Sequence, residues 1–317
     1  MAPVRSYTIL GPGAVGLLYG ARLQAAGHRV HWVARSGADE MRRHGIRVTS
    51  QDGDIEIAAD DLAVSSDPAD APASDVVVVA LKTTANDHLA DLVGPVARDG
   101  AAVAMFQNGL GVEERLRAAV PHAGPVLGAM CFVCAHRHGA GVCEHLDYGA
   151  VTVGHLDDRP DAAEAAAALV DDLERSGTAA TLVPDLGVAR WRKLVWNVPF
   201  NGLSVVLDAS TDALLGDPST RRLVTELMDE VIEASAAVGS GVDPAFRDQM
   251  LDTTDAMTPY APSMKLDHDA GRAMEIEAIY DAPLAAAAAG GASMPKTAAL
   301  RDQLRFLDGR DRPSAHG

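Results

Sequence analysis

The chain has 317 residues, 48% of them hydrophobic and 22% charged, a composition that supports one large or two ordinary globular domains and excludes global disorder. Lys and Arg number 27 against 44 Asp and Glu, a net charge of −17, so neither nucleic acid nor an anionic membrane surface is expected as a partner, and an anionic ligand needs local positive groups. No uncharged apolar run approaches the roughly 20 residues that span a bilayer, and "MAPVRSYTILGPG" enters an apolar strand without the longer apolar segment and cleavage site of a secretory signal. The expectation is a soluble, cytoplasmic protein.

The first strand, "YTIL", runs into "GPGAVG" (Gly11, Pro12, Gly13, Ala14, Val15, Gly16) and then the helical "LLYGARLQAAG". Strand, glycine turn and helix in that order form the context of a dinucleotide fingerprint, in which glycines allow close backbone approach and the helix N-terminus offers N–H groups to pyrophosphate. The second strand, "HRVHWVA", ends in Ala34, Arg35 and Ser36. It offers no carboxylate for ribose hydroxyls, whereas a guanidinium matches a phosphate in charge and geometry, which favours NADP(H) over NAD(H).

Further short runs follow: "IRVTS", "DVVVVAL", "AAVAMF", "VLGAMCFVCA" and "AVTVG". Their alternation with helical segments predicts a parallel α/β sheet of Rossmann type. Val76–Leu81 is apolar at every position, as a strand covered on both faces requires. Lys82 and Asn108 follow two of these strands, at the edge where doubly wound sheets bind ligands. The helix "DAAEAAAALVDDLERSG" ends at Gly177, and "TAATLVPD" is a last extended segment.

"CFVCAHRHGAGVCEHLDYG" holds Cys131, Cys134, His136, His138, Cys143 and His145. The first pair of cysteines lies in a predicted strand, so their thiols are expected on opposite faces. Packing of soft side chains is the preferred reading, with no metal site and no disulfide framework.

The grammar changes near Pro184, giving a dinucleotide-binding domain over 1–184 and an all-α domain over 185–317. Its long helical patterns include "RRLVTELMDEVIEASAAVG" and "GRAMEIEAIYDAPLAAAAAGG"; "DGRDRPSAHG" reads as a frayed tail. Apolar helix faces here can pack within the chain or against a second copy in a homodimer. In "WRKLVWNVPFNG", Lys193, Asn197 and Asn201 recur every four residues and so share one side of a helix. A structural helix gains nothing from such a polar row beside its apolar face. Pro199 cannot supply an N–H to residue 195, and the expectation is a kinked or loosened turn that aims the row at a cleft.

With these motifs in place, the sequence resembles the ketopantoate reductase family, the NADPH-dependent 2-dehydropantoate 2-reductases. "GPGAVG", Arg35, "LKTT" and "FQNGLG" occur in that family's order; "KLVWNVPFNGL" resembles its Lys-x-x-x-Asn-x-x-x-Asn helix, and "PSMKLDHDAGRAMEIEAIY" its Ser-Met…Glu-Ile-(Asp/Glu) segment. The resemblance implies a Rossmann domain followed by a helical one. It implies Lys193 as general acid, Glu275 as a catalytic carboxylate, Asn108, Asn197, Asn201 and Ser263 as residues holding the 2-keto acid, and Lys82 in the cofactor cleft. Tyr260, Lys265 and Phe200 depart from the family's pattern, and these departures bear on the substrate.

Hydride addition to a 2-keto group creates an alkoxide, which a partly buried ammonium can stabilise and protonate. The leading reading is an NADPH-dependent reductase of ketopantoate. A reductase of another small 2-keto acid, or a hydroxy-acid dehydrogenase of the same architecture, is the second. A non-catalytic NADP(H)-binding sensor is the third.

Overall fold

The computed structural model describes residues 3–98 and 100–310; residues 311–317 of the expected frayed tail lie outside it. The described residues form two compact units, the first taking the chain up to Gln107 together with Val112–Leu186.

Ten strands build one sheet in the first unit: β1 (Ser6–Leu10), β2 (Arg29–Val33), β3 (Ile46–Ser50), β4 (Ile55–Ile57), β5 (Ala63–Ser65), β6 (Val76–Val79), β7 (Ala102–Met105), β8 (Val126–Gly139), β9 (Val142–His155) and β10 (Ala180–Leu182). They lie in the order β4-β3-β9-β8-β7-β6-β1-β2-β5, with β10 on β9. Every residue of β6 and β7 is buried, which accounts for the unbroken apolar runs. Five helices belong to this unit: α1 (Ala14–Ala25), α2 (Ala38–His44), α3 (Leu89–Val93), α4 (Val112–Ala119) and α5 (Ala162–Arg175). Gly177 ends α5 with φ +77°, and the bonds Thr178 N to Leu173 O (2.9 Å) and Gly177 N to Glu174 O (3.0 Å) form a Schellman cap.

Two features differ from a wholly parallel sheet. β3–β4 and β8–β9 are antiparallel, and β8 and β9 are each 14 residues long. The polar stretch "HRHGAGVCEH" hides the hairpin in the sequence, because the strands continue straight through it. Only Ala140 and Gly141 connect them, and Gly141 has φ +73°; a two-residue connection leaves the next strand only an antiparallel neighbour. His138 Nε2 meets Glu144 Oε2 at 2.8 Å across this tip. Cys131, Val133 and Ala135 pack against the unit's core cluster and Cys134 does not belong to it, so alternation holds across the first cysteine pair; the extra residues at the register shifts after Phe132 and Cys134 are Gly149 and Leu146 of β9. Cys134 and Cys143 are buried, Cys131 is half-buried, and all three are free thiols.

The second unit comprises Asn108–Gly111 and the chain from Gly187. Its helices are α6 (Leu186–Val206), which begins at the last residue of the first unit, α7 (Thr211–Gly216), α8 (Pro218–Ala237), α9 (Ala245–Asp255), α10 (Ser263–Asp269), α11 (Ala282–Ala289) and α12 (Pro295–Arg310). Asp217 caps α8 by accepting from Ser219 N at 2.8 Å and Thr220 N at 3.1 Å. Leu194, Val198, Phe200, Leu227, Val231, Tyr280 and Leu304 are buried in the unit's core.

The segment from Gly271 is not one long helix. Gly271 has φ +63°, and Met274 N donates to Asp308 Oδ1 of α12 at 3.1 Å. Helix starts only at Ile276, passes through a π turn, Glu277–Asp281, and then becomes α11.

Candidate active site

In the first unit the glycine loop closes the C-terminal end of β1. Gly11 has φ +84°, and a Cβ there would stand 2.6 Å from Leu81 Cδ2 and 3.1 Å from Leu81 N. The turn therefore needs glycine, and it places the "LKTT" segment against the loop, with the exposed Lys82 next in the chain. A Cβ on Gly13, by contrast, would meet nothing within 4 Å. Behind that open space Ala14 begins α1, whose first-turn N–H groups have no partner within the helix. Backbone donors left without helix partners at an N-terminus suit a pyrophosphate.

At the end of β2, Arg35 is exposed, and its guanidinium makes no hydrogen bond or ion pair among the described residues. A cavity of about 380 Å³ adjoins it, lined also by Gly37, Asp39, Glu40, Arg42 and Ser66. Arg42 is engaged elsewhere, donating to Asp39 at 2.6 Å and to the Val64 carbonyl. These residues fit a nicotinamide dinucleotide: a backbone cradle for its diphosphate and, at the second strand, a cation in place of a carboxylate.

In the second unit α6 continues through Pro199 and carries the polar row. Lys193 is half-buried, and its Nζ lies 5.6 Å from the centroid of the Trp196 ring. Asn197 is 3% exposed and Asn201 2%; this row belongs to the inside of the unit. Asn197 Nδ2 reaches Asn108 Oδ1 at 3.5 Å. Asn201 Oδ1 accepts from Met264 N at 3.5 Å, beside Ser263, the first residue of α10. Asn108, Asn197, Asn201 and Ser263 thus meet around one stretch of α6.

Local packing dictates this meeting. Gly109 has φ +95°, and a Cβ there would stand 2.4 Å from Ala278 Cβ and 2.7 Å from Ala278 O. Only glycine lets the loop 108–111 lie so close, where Leu110 N donates to Ala278 O at 2.9 Å. Glu275 is 4% exposed; it immediately precedes the helix, whose Ile279 N bonds its carbonyl at 3.2 Å. It is therefore not a solvated charge on a helix surface.

Phe200 is fully buried against Trp196, ring centroids 5.0 Å apart, so it is core rather than part of the polar row. Lys265 is neutralised by Asp208, at 2.8 Å, and by Asp269. Tyr260 is buried, and its backbone exchanges bonds with Thr211, Thr211 N donating to Tyr260 O at 3.2 Å. One neighbour that sequence reasoning missed is Tyr280, whose hydroxyl donates to the Val198 carbonyl at 2.9 Å inside the row. Burial raises its pKa far above a free phenol's, so it remains a donor at physiological pH.

Among the described residues no group of His, Cys, Asp and Glu is arranged to hold a metal ion, and no helix is long and apolar enough to cross a membrane.

The chain matches known proteins over nearly its whole length. The family model "Ketopantoate reductase PanE/ApbA" matches residues 7–158, and its C-terminal counterpart matches residues 185–308. The chain is 42% identical to the 2-dehydropantoate 2-reductase of Nostoc sp., over 97% of both chains. A crystal structure of 2-dehydropantoate 2-reductase from Geobacter metallireducens superposes with a TM-score of 0.89 at 35% identity, covering 95% of this chain and 99% of that one. D-mandelate dehydrogenase solved with NADH and anilino(oxo)acetate shares the fold, at 20% identity and a TM-score of 0.85 over 96% of this chain and 99% of that one.

Proposed function

The chain belongs to the ketopantoate reductase family, and from that premise we propose that it reduces 2-dehydropantoate to pantoate with NADPH, Lys193 acting as the proton donor. The observation that carries the proposal is the grouping of Asn108, Asn197, Asn201 and Ser263 along the α6 face that bears Lys193.

When bound, the dinucleotide supplies the hydride that adds to the keto carbon. Gly11–Gly16 and the N-terminus of α1 hold its diphosphate, Lys82 lines its cleft, and Arg35 pairs with the 2′-phosphate that distinguishes NADP(H). Charge then develops on the former carbonyl oxygen of the substrate, and the Lys193 ammonium stabilises it and gives it a proton. The neutral amine left behind recovers its proton from water.

Four uncharged groups, Asn108, Asn197, Asn201 and Ser263, offer both donors and acceptors, so they hold the substrate's carboxylate and hydroxyl without burying an extra charge. Glu275 orients the lysine and accepts from the substrate's hydroxyl. Its burial strengthens both interactions, because a low-dielectric surrounding screens them little.

The test follows NADPH oxidation with ketopantoate beside other branched 2-keto acids. Ketopantoate is expected to give the highest kcat/KM, and binding of NADPH with no turnover across the panel would overturn the reading. In Lys193→Ala, kcat should fall by about 10²- to 10⁴-fold, the usual worth of a positioned acid, while NADPH affinity holds. Full activity in that variant refutes the acid assignment.

A further inference from the structure

Tyr280 lies in the π turn Glu277–Asp281. A π turn shifts the phase of the side chains beyond it, and here it leaves the Tyr280 ring fully buried with its hydroxyl on the Val198 carbonyl of α6. That carbonyl lies between Asn197 and Asn201, in the turn where the helix ladder is weakest, since Pro199 has no N–H to give Val195. The approach depends on Gly202: a Cβ there would stand 2.5 Å from Tyr280 Oη and 2.6 Å from Leu300 Cδ2 of α12. The same π turn holds the loop of Asn108, through Ala278 O and Leu110 N. One rigid turn thus grips both segments that carry the grouped asparagines.

We propose that Tyr280 is a positioning residue for the reduction: its bond to the Val198 carbonyl, admitted by Gly202, sets Asn197 and Asn201 against Asn108. The inference builds on the proposed function, since it takes those asparagines to hold the keto acid. Tyr280 reaches no reacting atom in this role; it acts through the α6 backbone at a turn that Pro199 leaves under-bonded.

The experiment compares Tyr280→Phe, which keeps the ring and removes the hydroxyl, with Gly202→Ala, which keeps the hydroxyl and blocks its approach. Each is expected to lower kcat/KM for ketopantoate by about 5- to 20-fold, the scale of one lost buried hydrogen bond, with KM for NADPH unchanged. The double variant should cost no more than Gly202→Ala alone, because both changes remove the same hydroxyl contact and only Gly202→Ala also presses on Leu300. Hydrogen–deuterium exchange over 195–204 should quicken in both variants, a readout that does not depend on turnover. Unchanged kcat/KM and exchange in Tyr280→Phe overturns the proposal. So does a parallel loss of NADPH and keto-acid binding, which marks a general folding defect. Should Tyr280→Phe fail to fold, Gly202→Ala decides by the same two readouts. An inactive wild type refutes the assigned reaction instead, and is recognised before any variant is made.

Discussion

Asn197 donates from Nδ2 to Oδ1 of Asn108 at 3.5 Å, bringing α6 and the loop 108–111 together at two amides. That distance is at the outer limit of hydrogen bonding, so the contact is weak and both amides keep capacity for a ligand. Replacing Asn197 by Ala should lower kcat/KM for ketopantoate by about 10- to 100-fold, the loss of a bond to a charged group, with KM for NADPH constant. Asn197→Asp should be worse, because it sets a carboxylate against an anionic substrate. Steady-state kinetics on both variants decides, and a change under about twofold in each removes Asn197 from the substrate site.

Arg35 decides the cofactor in the proposed reading. Its guanidinium is exposed beside a cavity of about 380 Å³ and makes no hydrogen bond or ion pair among the described residues, so it is available to a phosphate. Arg35→Asp should lower kcat/KM for NADPH by roughly 10- to 150-fold, the worth of a charge-assisted hydrogen bond, and leave NADH little changed. An exposed charge is screened by salt, so raising ionic strength should weaken NADPH binding more than NADH binding in the wild type. Equal losses for the two cofactors in Arg35→Asp would show that the guanidinium does not read the phosphate.

Much of this was legible in the sequence, and the gaps have physical causes. The glycine loop is announced by its required glycine, the buried strand at Val76 by an unbroken apolar run, and the α6 row by its four-residue period. The β8–β9 hairpin is not, because the side chains that its distal half buries include Cys143 and His145, set among His, Arg and Glu, and these do not read as the apolar face of a strand. The pattern from Gly271 reads as one long helix, which would leave Glu275 within it; the turn at Gly271 and the bond from Met274 N to Asp308 place it before the helix begins, buried. Tyr280 was missed for a related reason. A π turn changes the period, so a helical count assigns its side chain to the wrong face, and Gly202, spaced for another segment's hydroxyl, looks like an ordinary helix break.

Cys143 gives the fold a pH dependence of its own. The thiol is buried, with Sγ donating to the Ala14 carbonyl at 3.5 Å, at the start of α1. Burial, aided by the neighbouring Glu144 charge, pushes it up to about 12 from an ordinary 9.0. A group whose pKa is raised on folding stabilises fully below its unfolded value and loses that contribution as pH climbs through the folded one. Stability should therefore decline between about pH 9 and 12, by at most about 1.4 kcal/mol per pH unit from this thiol. Urea unfolding across that range should show the slope in the wild type and a shallower one in Cys143→Ala. Iodoacetamide should leave Cys143 unmodified in the native protein at pH 8, and rapid labelling there contradicts the argument.

Glu230 ties two helices of the second unit through its carboxylate. From α8 its carboxylate accepts from Lys296 N, Thr297 N and Thr297 Oγ1, each at 2.9 Å, so it caps the N-terminus of α12 from outside the helix. The cap combines charge-assisted bonds with the favourable end of the helix dipole. Glu230→Gln keeps one acceptor oxygen but loses the charge, and should destabilise the protein by about 1–3 kcal/mol. Glu230→Ala leaves α12's first N–H groups without a partner and should cost more. Thermal unfolding should follow that order, and kcat/KM per folded molecule should stay near wild type, since the cap touches none of the residues around Lys193. If melting is unchanged in both variants, solvent satisfies that helix end as well as Glu230 does.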